Sequence, residues 1–169
     1  TCAAATISAR AGSCVPVATL CDEAPHSVIA LLAISIAGCV IVPLDPAAPS
    51  ARLVLMLEDS AVVLCLCEAD AEAALANEVT TAELLTIAAA ISAGRAAPIR
   101  RLSATADHVH HLIYTSGSTG LPKAVAVSHE SVAAYCVAKT RAHRVTRTSR
   151  VLLASAHTWD PFLGDVLYL

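Results

Sequence analysis

The sequence predicts an α/β domain built on a mostly parallel sheet with helices on its faces. Three observations carry that prediction. Strand-like apolar runs at 15–20, 39–42 and 61–67 alternate with stretches of helical apolar spacing, the order that βαβ units produce. The runs at 39–42 and 61–67 are apolar throughout, as strands in a core are. A glycine- and serine-rich loop at 116–120 then joins two further strand-like stretches.

Each element has a local reason. Residues 15–20 read as a short strand. Asp22, with Pro25 near the first turn, opens a helix through Ala37 that Gly38 closes. That helix is apolar on every side and is expected to be buried. After the strand at 39–42, Ser50 caps a helix whose Leu53, Met56 and Leu57 share one face. The strand at 61–67 follows. Thr80 with Glu83 forms a capping box before Leu84 and Leu85, predicting a helix that fades at Gly94. Residues 96–106 read as a loop. Strands at 108–115 and 123–127 flank the glycine-serine loop, Ser128 caps a helix reaching about Lys139, and 151–155 reads as another strand.

The loop is the chemically informative part. Tyr114-Thr115-Ser116-Gly117-Ser118-Thr119-Gly120-Leu121-Pro122-Lys123 concentrates hydroxyl donors, two glycines and a cation between two strands. Gly117 and Gly120 allow left-handed backbone angles that bring N–H groups close to an anion. Ser116, Ser118 and Thr119 add donors, and Lys123 adds a point charge. This is a polyphosphate-holding composition. It is not a Walker A loop, because Lys123 is followed by Ala124 instead of Ser or Thr, and 125–127 read as strand instead of the helix that would face the phosphate.

Residues 114–123 resemble the phosphate-binding loop of the adenylate-forming superfamily: acyl-CoA synthetases, luciferases and the adenylation domains of nonribosomal peptide synthetases. A second block supports the likeness. Ala37-Gly38-Cys39-Val40-Ile41-Val42-Pro43-Leu44-Asp45-Pro46, then Pro49, Arg52 and Met56-Leu57-Glu58-Asp59-Ser60, resembles the block that precedes the loop in peptide-synthetase adenylation domains. The family pattern has glycine where this chain has Ala124. The resemblance implies that residues 1–169 are a partial N-terminal stretch of the large subdomain of an AMP-binding adenylation domain, with a strand-loop-strand phosphate-binding element.

Past the strand at 151–155 lies His157-Thr158-Trp159-Asp160-Pro161-Phe162-Leu163-Gly164-Asp165. Ligands of open α/β sheets bind beyond the carboxyl ends of strands, which favours this position for a site. Asp160 followed by Pro161 also fits a helix N-cap. The segment resembles the F-D-x-S block of amino-acid-activating adenylation domains. That likeness implies that Asp160 anchors a substrate ammonium, Trp159 forms an aromatic wall, and Pro161 and Gly164 line the acyl pocket.

The family reaction implied is two-step: a carboxylate attacks the α-phosphorus of Mg2+-ATP, releasing pyrophosphate, and a phosphopantetheine thiol on a carrier-protein domain then displaces AMP. Thr115, Ser116, Gly117, Ser118, Thr119, Gly120 and Lys123 would bind the nucleotide phosphates, with Lys123 as the catalytic cation. Asp160 favours an amino acid over the substrates of an acyl- or aryl-CoA ligase, the nearest alternative; a truncated, non-catalytic remnant is the alternative of another class. The family's magnesium-binding and ribose-binding acids, its hinge and its mobile lysine belong to later segments. The chain therefore reads as an excerpt of a longer enzyme, inactive by itself.

Composition bounds the rest. The chain is 56% hydrophobic but only 3% aromatic and 15% charged, so exposed apolar patches are expected unless something covers them. A net charge of −3 argues against a general nucleic-acid binder. The basic run Lys139, Arg141, His143, Arg144, Arg147 and Arg150 has no interleaved aromatics and reads as a solvated helix end and loop. Seven scattered cysteines without a CxxC pair fit a reduced, cytoplasmic setting, with Cys65 and Cys67 as small buried residues on one strand face. His108, His110 and His111 crowd together, but strand alternation would put 108 and 110 on one face with no acid or cysteine at ligand spacing nearby, so no metal site is expected. The apolar run 27–44 is divided by Gly38 and Pro43, so no membrane span is expected.

Overall fold

The computed structural model describes residues 2–12, 14–21, 24–94, 104–116 and 120–167. In chain order the elements are α1 (Cys2–Arg10), β1 (Pro16–Leu20), α2 (His26–Ile36), β2 (Val40–Pro43), α3 (Ser50–Asp59), β3 (Leu64–Cys67), α4 (Ala69–Leu75), β4 (Glu83–Thr86), α5 (Ile87–Ala93), β5 (Val109–Ser116), β6 (Pro122–Ser128), α6 (His129–Ala142) and α7 (Asp160–Leu167). The six strands form one sheet in the order β4-β3-β1-β2-β5-β6. All neighbours are parallel except the β5–β6 hairpin. The α/β class and mostly parallel sheet expected from the sequence are what the chain adopts.

Strand alternation divides the core between the two sheet faces. Val17, Ile41, Leu64 and Leu66 point toward α1, α2, α5 and α7. Ala18, Val42, Cys65 and Cys67 point the other way, toward Leu53, Met56 and Leu57 of α3 and Leu75 of α4. All seven cysteines are free thiols. Burial pushes the Cys21 thiol up to about 11 and that of Cys67 to about 12, so these behave as small apolar groups.

Several local expectations meet a different outcome. Glu83–Thr86 is a strand, paired parallel with β3 from Leu64↔Glu83 to Cys67↔Thr86, and not the start of a helix. The β3 edge offers a ladder for these backbone groups, and that pairing overrides the capping-box pattern. The helix starts six residues later than expected, where the Thr86 hydroxyl accepts the Ala89 N–H at 3.2 Å. The Asp22 position lies outside the described residues, and α2 begins at His26. Helix α2 is not buried on every side: it packs on the sheet and on α1, and its third side leaves Leu32 and Ile36 exposed. Pro49 holds the N-cap position of α3, so Ser50 is its first helical residue and makes no cap bond. The strand expected from 61 starts at Leu64, because Ala61 takes a left-handed φ of 51° as α3 ends.

Residues 151–155 form no strand; no described strand pairs with them, and Leu152 is 83% exposed. Helices α1 and α4 went unpredicted. Helix α1 packs on α2 and α5, where the buried Thr6 hydroxyl donates to the Ala90 carbonyl at 2.7 Å. The Arg100–Arg101 pair of the expected 96–106 loop lies outside the described residues, as do Gly117, Ser118 and Thr119.

Exposed large apolar side chains concentrate in the last third: Leu121, Val125, Tyr135, Val137, Leu152 and Trp159. Helix α6 buries none of its residues. It is joined to α7 by the Lys139–Asp165 ion pair, with the Lys139 ammonium also donating to the Tyr135 hydroxyl at 3.0 Å.

Candidate functional site

The β5–β6 hairpin presents the hydroxyl- and lysine-bearing loop. Its register sets Tyr114 opposite Ala124, Thr115 opposite Lys123 and Ser116 opposite Pro122, so the Thr115 and Lys123 side chains leave the same face. The Thr115 hydroxyl donates to the Lys123 carbonyl at 3.3 Å, and the lysine side chain is exposed. Gly120 takes φ +81°, a conformation L side chains rarely adopt, with open space where a Cβ would stand. Ala124 sits in regular β6 and is not among the positive-φ residues, so the glycine-to-alanine departure after Lys123 carries no backbone penalty.

Tyr114 ties the loop block to the upstream block. Its hydroxyl donates to Asp59 at 2.7 Å and lies 3.0 Å from the Met56 carbonyl. Burial, with the Asp59 carboxylate adding to it, pushes the phenol up to about 12, so it remains a donor. A cavity of about 320 Å³ beside it is lined by Asp45, Pro49, Arg52 and Met56, and shares Tyr114 and Thr158 with the next cavity along.

That neighbouring cavity, about 460 Å³, brings the distant sequence regions together. Tyr114, Thr115 and Ser116 from the end of β5 line it with Thr158 and Trp159, which precede α7, and Asp160 and Pro161, which begin it. Trp159 is 64% exposed, standing at the rim. Asp160 is the first residue of α7, one position inside the N-cap. Its Oδ1 lies 2.8 Å from His111 Nε2, and its side chain is otherwise 63% exposed. A third cavity, of about 210 Å³, also borders Asp160 and is lined by His111, Val127, Tyr135, Pro161 and Gly164. A Cβ at Gly164 would stand 2.3 Å from Tyr135 Cε1, so the ring occupies the space a larger residue there would fill. His157 donates from Nε2 to the Leu44 carbonyl at 3.0 Å, anchoring the segment before α7 to the end of β2.

The histidine cluster departs from strand alternation. A bulge between Val109 and His111 turns His110 and His111 both inward, 4% and 2% exposed, while His108 is exposed. The expectation that 108 and 110 share a face therefore fails. His111 and Tyr114 were missed as site residues. The cluster of histidines was visible, but the bulge that leaves His110 beside His111 makes no mark in the sequence. Among the described residues no three of His, Cys, Asp and Glu converge as a metal site, so no magnesium ligand is assigned here.

A family model described as AMP-binding enzyme matches residues 2–168. Among curated relatives, the FR901469 synthetase of Dothideomycetidae sp. (strain 11243) is 32% identical over 164 residues, covering 97% of this chain and 1% of that protein. The chain spans 1% of that synthetase's length and 12% of that of the nonribosomal peptide synthetase resC of Aspergillus sclerotiorum. The nonribosomal peptide synthetase FmoA3 (S1046A) in its AMPPNP-bound form superposes with a TM-score of 0.77 at 24% identity, covering 98% of this chain and 18% of that one. The o-succinylbenzoate CoA synthetase of Bacillus subtilis, bound to its acyl-adenylate intermediate, gives 0.82 at 21%, covering 98% and 43%. These structural likenesses establish a shared fold.

Proposed function

The chain belongs to the AMP-binding enzyme family, and from that premise we propose that it activates an amino acid with ATP as part of a nonribosomal-peptide-synthetase adenylation domain. The observation that carries the reading is the shared cavity, which Thr115 and Ser116 line together with Asp160. A space with phosphate donors at one end and a single acid at the other suits a substrate that brings both a carboxylate and an ammonium group.

In the proposed reaction the substrate carboxylate oxygen attacks the α-phosphorus of ATP and the bond to the β-phosphate breaks. Negative charge then grows on the departing pyrophosphate. Lys123, Thr115 and Ser116, with the loop residues Gly117, Ser118, Thr119 and Gly120, stabilise that charge by preorganised donation. Asp160 pairs with the substrate ammonium, Trp159 covers it, and Pro161 and Gly164 face the acyl side chain. A carrier-protein phosphopantetheine thiol then attacks the acyl carbon and AMP leaves. A fatty or aryl acid has no ammonium for Asp160, which sets the CoA-ligase reading second.

Lys123→Ala in the intact enzyme tests the phosphate role. A charge-assisted contact worth about 1.5–3 kcal/mol predicts a fall of about tenfold to a hundredfold in amino-acid-dependent ATP–pyrophosphate exchange. Unchanged exchange would refute the assignment.

A further inference from the structure

We propose that His111 is the positioning residue for Asp160: its buried imidazole, held in one tautomer by His110, donates Nε2–H to one carboxylate oxygen and leaves the other for the substrate ammonium. This rests on the reading of Asp160 as the ammonium anchor and says what holds that anchor in place.

The hydrogen-bond inventory fixes the direction of the chain. An ionised carboxylate only accepts, so His111 Nε2, 2.8 Å from Asp160 Oδ1, carries the proton. A neutral imidazole with Nε2–H has an unprotonated Nδ1, which must accept. The group facing it is His110 Nδ1 at 2.9 Å, which therefore donates. Each ring thus sets the tautomer of the next. The bulge in β5 makes the arrangement possible, since regular alternation would send one of the two rings outward.

The state of charge matters as much as the geometry. From the packed elements, the titratable groups facing His111 are His110 on its own strand, His129 and Tyr135 on α6, and Asp160 on α7. Burial holds His111 below its ordinary value against the opposing pull of Asp160. Burial also holds His110 down to about 4, with His111 and His129 adding to the effect. A neutral donor orients the carboxylate without cancelling its charge, whereas an imidazolium would compete with the ammonium for it. Asp160 is otherwise largely exposed, so without His111 its side chain would have to be ordered at each binding event.

Two measurements test this. In the intact enzyme, the probe is whichever of the twenty proteinogenic amino acids, assayed singly, drives the fastest ATP–pyrophosphate exchange. His111→Leu is expected to raise its KM about tenfold, the loss of one charge-assisted bond at the weak end of the range, with KM for ATP unchanged. His111→Gln, whose amide N–H reaches near the Nε2 position, restores most of the loss. Asp160→Asn raises the amino-acid KM further still. If Asp160→Asn raises KM and His111→Leu does not, the positioning role is overturned and the anchor stands. If Asp160→Asn changes nothing, the anchor falls and this inference with it. A parallel rise in both KM values without rescue by glutamine means general structural damage and overturns the proposal. Independently of variants and substrate, imidazole 15N spectra of the unsubstituted chain at neutral pH are expected to show His111 protonated at Nε2 alone and His110 at Nδ1 alone; the opposite tautomers, or an imidazolium, overturn it.

Discussion

Acidification should destabilise this protein through His110. The ring is 4% exposed, bonded to His111, and edge-on to the His129 ring at 4.7 Å. An imidazole that ordinarily titrates near 6.5 here titrates near 4. The unfolded chain therefore binds a proton between those values that the folded chain refuses, so stability is complete above pH 6.5 and is lost as pH falls toward 4. At about 1.4 kcal/mol per pH unit, the loss is on the order of 3 kcal/mol, half of it reached near pH 5. That is a large share of the roughly 5–15 kcal/mol that holds a typical domain together. Urea denaturation followed by circular dichroism, repeated in steps from pH 7 to 4, reads the slope directly. His110→Phe keeps an aromatic ring and removes the titration; it loses a hydrogen bond at pH 7 but should show a distinctly flatter pH dependence. Equal slopes in the two proteins would mean that His110 accepts its proton without cost, and the linkage argument would be wrong.

Two further substitutions probe the packing and the hairpin's continuation. A Cβ on Gly94 would stand 1.6 Å from the Cys2 carbonyl oxygen, so Gly94→Ala must push α1 away from α5. Overpacking of this kind costs about 1–3 kcal/mol, visible as a lower urea midpoint, and an unchanged midpoint would show that α1 yields freely. The Ser128 hydroxyl accepts the Ser131 N–H at 3.2 Å at the start of α6, so Ser128→Ala should cost about 1 kcal/mol by the same assay, with Ser128→Asp neutral. Equal loss in both variants would show that the cap bond contributes nothing.

How much of this was legible beforehand depends on the range of the interaction responsible. The β1, β2 and β3 strands, α2, α3, the β5–β6 hairpin and the Ser128 cap all follow from apolar runs, turn residues and caps within one element. Proline and glycine at Pro25, Gly38 and Gly120 acted where local geometry alone decides. The helix start near Thr80 failed because two threonines, Thr80 and Thr86, carry a cap signal, and only the free edge of β3 selects the second. Helix α1 escaped notice because its faces are small residues, and what holds it is contact with α2 and α5, far away in sequence. At 151–155 the pattern suits a strand, but a strand exists only with a partner for its backbone groups.

The sequence by itself determined the sheet class, the family, and the residues carrying hydroxyls, amine and acid. Those are properties of composition and short spacing, which the chain carries wherever it folds. Tertiary structure alone decided that Thr115 and Ser116 open onto the same cavity as Asp160, that Tyr114 reaches back to Asp59, and that His111 meets the acid. Each of these contacts joins residues more than forty positions apart. Register and packing fix such distances, and no local pattern encodes them.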